Sequence, residues 1–225
     1  MTLDLYNMDN MYFDTDKKFD VIYCDYIYEN KNFDWAEKYF KLLKPKGVMI
    51  AQTDFHTNHR YRVFMEDVCG AELVNDGVWK CEWGNHPKDR FHQCFDNIII
   101  YSNVKKGWLF QPEKIQVPKA TKTAGLNPSG RETKQATAWI DDIVLTTTAL
   151  ERVKKDDGHL IRWQKPLRLY DRIIAPFVDE DHKDILDPFC GSGSLGKYCK
   201  INNLNYTGIE YDPEVYGYAK KNIYG

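Results

Sequence analysis

One glycine-rich turn late in the chain constrains the fold more than any other stretch. It reads Asp187-Pro188-Phe189-Cys190-Gly191-Ser192-Gly193-Ser194-Leu195-Gly196. The apolar pair Ile185-Leu186 leads into it and a helical pattern leads out. A second apolar run, Tyr206-Thr207-Gly208-Ile209, then ends at Glu210, nineteen positions after Gly191. Strand, tight turn, helix and strand in that order form one unit of a parallel α/β sheet. The glycines let the backbone approach a nucleotide-like ligand, and an acid at the next strand end takes ribose hydroxyls.

The remaining pattern extends that unit. Residues 19–24 (FDVIYC) read as a buried strand ending at Asp25. Trp35, Tyr39, Phe40 and Leu43 share one helical face, and Lys44-Pro45-Lys46-Gly47 stops that helix. Strands are expected at 48–51, 71–81 and 97–101, the last two joined by a polar loop. Helices are expected at 166–177, after Gly193 and at 213–223. Alternating strands and helices over 225 residues predict one α/β domain with a doubly wound, Rossmann-like, mostly parallel sheet.

Between 103 and 138 the periodicity disappears. Seven basic residues face two acids there, a local excess of +5 in a chain whose net charge is −2. Any electrostatic affinity for a polyanion is therefore local, and this segment is read as a basic inserted loop facing a partner. The six cysteines form no CxxC pair and lie at no zinc spacing from a histidine. They are read as reduced thiols of a cytoplasmic protein, with no metal expected. The first 20 residues carry five acids, and the chain has no 18-residue apolar run, so neither signal peptide nor membrane span is expected.

Gly191-x-Gly193-x-x-Gly196 with Glu210 also satisfies the dinucleotide fingerprint. Two observations count against NAD. Four residues separate the apolar run from the first glycine, and 15 residues after Glu210 are too few for a second mononucleotide half. A tight turn holding no ligand is the other reading.

Asp-Pro-Phe-x-Gly-Ser-Gly resembles the S-adenosylmethionine loop of the DNA amino-methyltransferases, which act on N6 of adenine or N4 of cytosine. The resemblance implies that Asp187, Phe189, Gly191, Gly193 and Glu210 contact that cofactor. The chain is similar to the β class, in which the catalytic half precedes the cofactor half, a circularly permuted order that explains the late loop. Asp9, after Leu5-Tyr6-Asn7-Met8, matches an acid that contacts the adenine ring. Lys165, in Gln164-Lys165-Pro166-Leu167, matches a lysine bordering the methionine end. The family's histidine four positions earlier is Ile161 here.

The family's catalytic tetrapeptide, Asp/Asn/Ser-Pro-Pro-aromatic, is matched by Asp25-Tyr26-Ile27-Tyr28, with Tyr-Ile in place of Pro-Pro. An exocyclic amine is a poor nucleophile, because its lone pair is delocalised into the ring. It must be held in line with an electrophilic methyl while its N–H groups are accepted. The carboxylate of Asp25 and the C=O of Tyr26 supply acceptors, and Tyr28 supplies a ring to stack on a base flipped out of the duplex. Losing both prolines predicts a looser site. Trp83 and Arg90, in the 83–93 loop, are candidate DNA contacts, and the 103–138 segment could track phosphates.

The expected activity is site-specific methylation of adenine N6 in double-stranded DNA, in a restriction-modification or phage setting, with a homodimer extending a short recognition surface. The first Asp favours adenine. Cytosine N4, or a non-catalytic relative that binds cofactor and DNA, are the alternatives.

Overall fold

The computed structural model describes the chain except residues 29–30, 82–86, 120–130, 144–150 and 162–163. The elements run β1 (Leu3–Asn7), β2 (Phe19–Asp25), α1 (Asp34–Phe40), β3 (Leu43–Thr53), α2 (Asn58–Val63), β4 (Glu72–Lys80) and β5 (Phe95–Ser102). There follow β6 (Gln116–Pro118), β7 (Thr133–Gln135), β8 (Trp139–Ile140), α3 (Leu167–Ile173), β9 (Asp184–Asp187), α4 (Ser194–Ile201), β10 (Asn205–Glu210) and α5 (Pro213–Tyr224). Eight strands form one sheet in the order β1-β10-β9-β2-β3-β5-β4-β8. Within that sheet only β5 runs antiparallel to its neighbours. This is the mostly parallel α/β sheet that the sequence predicts.

Strands buried on both faces need apolar residues at both parities. On β2, Val21 and Tyr23 enter one core while Ile22 and Cys24 enter the other; β3 divides Val48 and Ile50 from Met49 and Ala51 in the same way. The first core is closed by Leu169 and Tyr170 of α3, Leu195 and Tyr198 of α4, and Ala219 and Ile223 of α5. Trp35, Tyr39 and Phe40 of α1 and Tyr61 of α2 close the second. None of the described helices is long and apolar enough to cross a membrane.

Three expectations are corrected, and one helix is added. The turn 44–47 does not precede β3 but bulges out of it. Phe19 pairs with Leu43 and Val21 with Val48, and Lys46 takes a left-handed φ of 69°. The ammonium of Lys44 ties the bulge to Asp20 and Asp184, at 2.8 and 2.7 Å. The helix expected over 166–177 stops at Ile173, and a 3₁₀ turn, Ala175–Phe177, follows because Pro176 offers no N–H. Residues 103–138 are not wholly irregular, since β6 and β7 pair antiparallel. The start of that segment is also fastened to the body rather than free: Ile115 is buried, Gln111 N–H donates to the Pro176 carbonyl, and Lys114 Nζ donates to Val178 O at 2.6 Å. Finally α2, continued by a π-helical turn (Phe64–Val68), occupies a stretch with no clear apolar period.

The third glycine of the fingerprint is a packing residue. A Cβ at Gly196 would lie 2.5 Å from Cδ1 of Ile223 and 2.8 Å from Cε1 of Tyr206. The Tyr206 ring is buried, so only part of that overlap can relax. Gly196→Ala is expected to lower unfolding free energy by about 1–3 kcal/mol, an overpacking cost measurable by urea denaturation. An unchanged midpoint would refute this packing account.

Candidate active site

In a doubly wound sheet, a crevice opens where loops from adjacent strands leave toward opposite faces. Here the adjacent strands are β9 and β2. The chain leaves β9 for α4 on one face and leaves β2 for α1 on the other. A cleft of about 1100 Å³ lies there. Asp25 ends β2, Asp187 ends β9 and Glu210 ends β10; Asp9 lies two residues beyond β1, and all four line the cleft. The four strands are consecutive in the sheet, so parallel register alone brings these acids together from distant parts of the sequence.

Each acid is held differently. Glu210 accepts Gly191 N–H at 2.9 Å and Asp212 N–H at 2.9 Å, which fixes its plane; burial raises its pKa. Gly191 and Gly193 take φ of 51° and 76°, and a Cβ at Gly193 would stand 3.0 Å from the Ala219 carbonyl. Asp187 accepts Phe189 N–H and Tyr206 O–H, each at 3.2 Å. Tyr206 reaches it by lying across Gly208, where a Cβ would meet its hydroxyl at 2.5 Å. Burial, with lesser repulsion from Asp25 and Glu210, pushes the Asp187 carboxyl up to about 8. Asp9 caps a 3₁₀ turn by accepting Met11 N–H at 2.8 Å.

Asp25 is held by side chains on both oxygens. Its Oδ2 is ion-paired with the buried ammonium of Lys165, and its Oδ1 accepts the Tyr28 hydroxyl at 3.2 Å. Lys165 and Asp25 both line the cleft. The lysine expected at the methionine end of a cofactor therefore also holds the candidate catalytic carboxylate. Tyr26 is buried, with its hydroxyl 3.0 Å from Thr57 Oγ1 and its ring packed against Phe33, Trp35 and Tyr61. This anchoring answers the expectation of looseness, because packing and a hydrogen bond fix the backbone where prolines would. Ile27 stands exposed at the cleft. Tyr28 is half-buried, edge-on to Tyr26 at 5.6 Å.

Known proteins match almost the whole chain. A sequence model of a DNA methylase family matches residues 4–221. The chain belongs to that DNA methylase family. It is 26% identical over 196 residues to the Type II methyltransferase M.HpaI of Haemophilus parainfluenzae, covering 84% of this chain and 57% of that protein. It is 23% identical to M.HinfI of Haemophilus influenzae, covering 84% of this chain and 49% of that one. The chain thus spans about half the length of these relatives. Its fold matches an M1.HpyAVI–SAM complex (TM-score 0.72, 24% identity, 99% of both chains). It also matches the cytosine-N4-specific PvuII DNA methyltransferase (TM-score 0.69, 13% identity, 100% of this chain and 88% of that one).

Tyr23 and Trp35 also line the cleft, and Gln52 and Asp96 are reached from Tyr23 through hydrogen bonds. Tyr23 O–H donates to Gln52 Oε1 at 2.8 Å, and Gln52 Nε2 donates to Asp96 Oδ2 at 2.7 Å. Asp96 is pushed up to about 6 by burial, partly offset by the charge of Lys165. Trp35 packs edge-on to Phe189 at 5.0 Å and so links the two halves of the cleft. The acid before the apolar run 97–101 was the available signal for Asp96. Of the candidate DNA contacts, Trp83 lies outside the described residues. Arg90 is exposed, is paired with Asp89 at 3.5 Å and does not line the cleft. No group of three potential metal ligands occurs among the described residues.

The raised carboxyl of Asp187 has a measurable consequence. Unfolded, it releases its proton near 3.8; folded, it holds it to about 8. Between those values the native state carries the extra proton, so stability falls as pH rises through the window. The contribution is up to about 1.4 kcal/mol per pH unit. Denaturation midpoints of the wild type are expected to fall more steeply from pH 5 to 8 than those of Asp187→Asn. Parallel profiles would show that Asp187 ionises normally.

Proposed function

We propose that this DNA methylase transfers a methyl group from S-adenosylmethionine to the exocyclic N6 of adenine in double-stranded DNA. One observation carries the reading: the acceptor carboxylate, Asp25, shares a single cleft with the three acids and the glycine turn of a cofactor site. The residues present fit that cofactor. It bears a sulfonium, an ammonium and a ribose diol, and the cleft offers carboxyl groups at Asp9, Asp187 and Glu210 beside the apolar Phe189, Ile209 and Met8. When bound, the cofactor supplies an electrophilic methyl. Glu210, oriented by two backbone amides, would hold the ribose diol, Asp187 would meet the cationic end and Asp9 the adenine.

The protein's own part is positioning and hydrogen-bond acceptance. Asp25 accepts one N–H of the target amine and the Tyr26 carbonyl accepts the other. The nitrogen is drawn toward tetrahedral geometry, and the positive charge that develops on it is stabilised. Lys165 keeps the Asp25 carboxylate in place. Tyr28, which does not line the cleft while its hydroxyl is bonded to Asp25, would supply the ring that stacks on the base once that bond is released. The catalytic strand upstream of the glycine loop is the permuted order of the β class.

A second reading has its own observation. Asp25 is already engaged by Lys165 and Tyr28, and the tetrapeptide lacks both prolines, as in a relative that binds cofactor and DNA without turnover. Incubation with labelled cofactor and unmethylated genomic DNA, digestion to nucleosides and chromatography separate the cases. N6-methyladenine is expected. N4-methylcytosine would move the target to cytosine, and bound cofactor without labelled DNA would favour the non-catalytic reading. Asp25→Ala is expected to slow transfer roughly 100-fold or more while cofactor affinity stays within a few-fold. Transfer at the wild-type rate would remove Asp25 from the mechanism.

A further inference from the structure

The loop between β4 and β5 carries a side chain that the reading above does not use. Phe91 is 99% exposed, more than any other large apolar residue among those described. Register fixes where the loop lies. Asp25 pairs with Gln52 across β2 and β3, Gln52 with Ile98 across β3 and β5, and Lys80 with Phe95 across β4 and β5. Because β5 is antiparallel, the loop that precedes it projects from the same sheet end as Asp25 and continues beyond it. Lys88 and Arg90, with Asp89 between them, immediately precede Phe91 in a chain that is acidic overall. Two neighbouring strand ends also present apolar side chains at this edge: Ile27 after β2 and Phe55 after β3.

We propose that Phe91 is a wedge. It enters the base stack of duplex DNA and fills the space left when a target base rotates into the Asp25 cleft. The inference rests on the DNA reading above and extends it to how the duplex is opened. A phenyl ring has no hydrogen-bonding group with which to read a base edge, but its face stacks on any base. Apolar wedges between base steps offset the loss of stacking that flipping entails. Lys88 and Arg90, just before the ring in the chain, bring it to the duplex by attraction to phosphates. The 103–138 segment is less suited to this task, since Lys114 is bonded to the Val178 carbonyl.

The test first identifies the sequence methylated by the wild type on genomic DNA, then uses two oligonucleotide duplexes of that sequence. In one the target base is paired; in the other it lies opposite an abasic site, so its pairing is already lost. Phe91→Ala is expected to lose roughly 10- to 100-fold in kcat/KM on the paired duplex and less than about 3-fold on the abasic one. Phe91→Trp, which keeps a stacking face, is expected to stay within about 3-fold of wild type on both. Full exposure of Phe91 means that neither change disturbs the fold. Equal rates for Phe91→Ala and wild type on the paired duplex would overturn the wedge, as would equal losses on both duplexes or a Trp variant as slow as Ala. A wild type that labels no DNA would instead overturn the activity on which the wedge depends.

Discussion

Asp25, Asp187 and Glu210 end three consecutive parallel strands and cannot all be bare buried anions in one cleft, and the site is organised around the cost of burying them. A buried charge needs a partner or must neutralise itself. The chain uses three different solutions. Lys165 supplies a cation to Asp25. Burial leaves Asp187 protonated at neutral pH. Backbone amides of Gly191 and Asp212 support Glu210. The result is a cleft that already holds its acids in place and favours a cationic, hydroxyl-bearing ligand. Binding such a ligand would let Asp187 ionise, which links ligand affinity to pH in the direction opposite to stability: tighter as pH rises toward 8.

The parallel core and three of these acids are legible in the sequence because both depend on local patterns. Apolar runs such as 19–24 and 185–186 end in acids at strand ends, and the glycine turn shows itself by composition. What the sequence conceals is pairing across the sheet. Lys165 meets Asp25 across 140 positions, and Gln52 meets Asp96 across 44. No period of 2 or 3.6 marks such partners. The bulge in β3 is hidden for a similar reason, since Pro45-Lys46-Gly47 reads as a stop signal. Only pairing with β2 on both sides of the bulge shows that the strand continues around it, and Lys44 fastens it there to Asp20 and Asp184. The helix α2 escapes notice because it buries a single residue, Tyr61, and so carries almost no apolar stripe.

The substituted tetrapeptide shows how one mechanical requirement can be met by different chemistry. In the proposed mechanism the Tyr26 carbonyl accepts a hydrogen bond and must be held still, which two prolines would achieve by fixing φ. Here the same peptide carries Tyr26, whose side chain is immobilised instead. Its ring sits among Phe33, Trp35, Tyr28 and Tyr61, and its hydroxyl meets Thr57. Asp54 in turn accepts both the N–H and the hydroxyl of Thr57, at 2.9 and 2.7 Å. A chain of contacts from Asp54 through Thr57 to Tyr26 therefore ties the Asp25–Tyr28 turn to the start of α2. Rigidity that proline places in the backbone has moved into side-chain packing. Ile27, freed from that role, is left exposed at the mouth of the cleft.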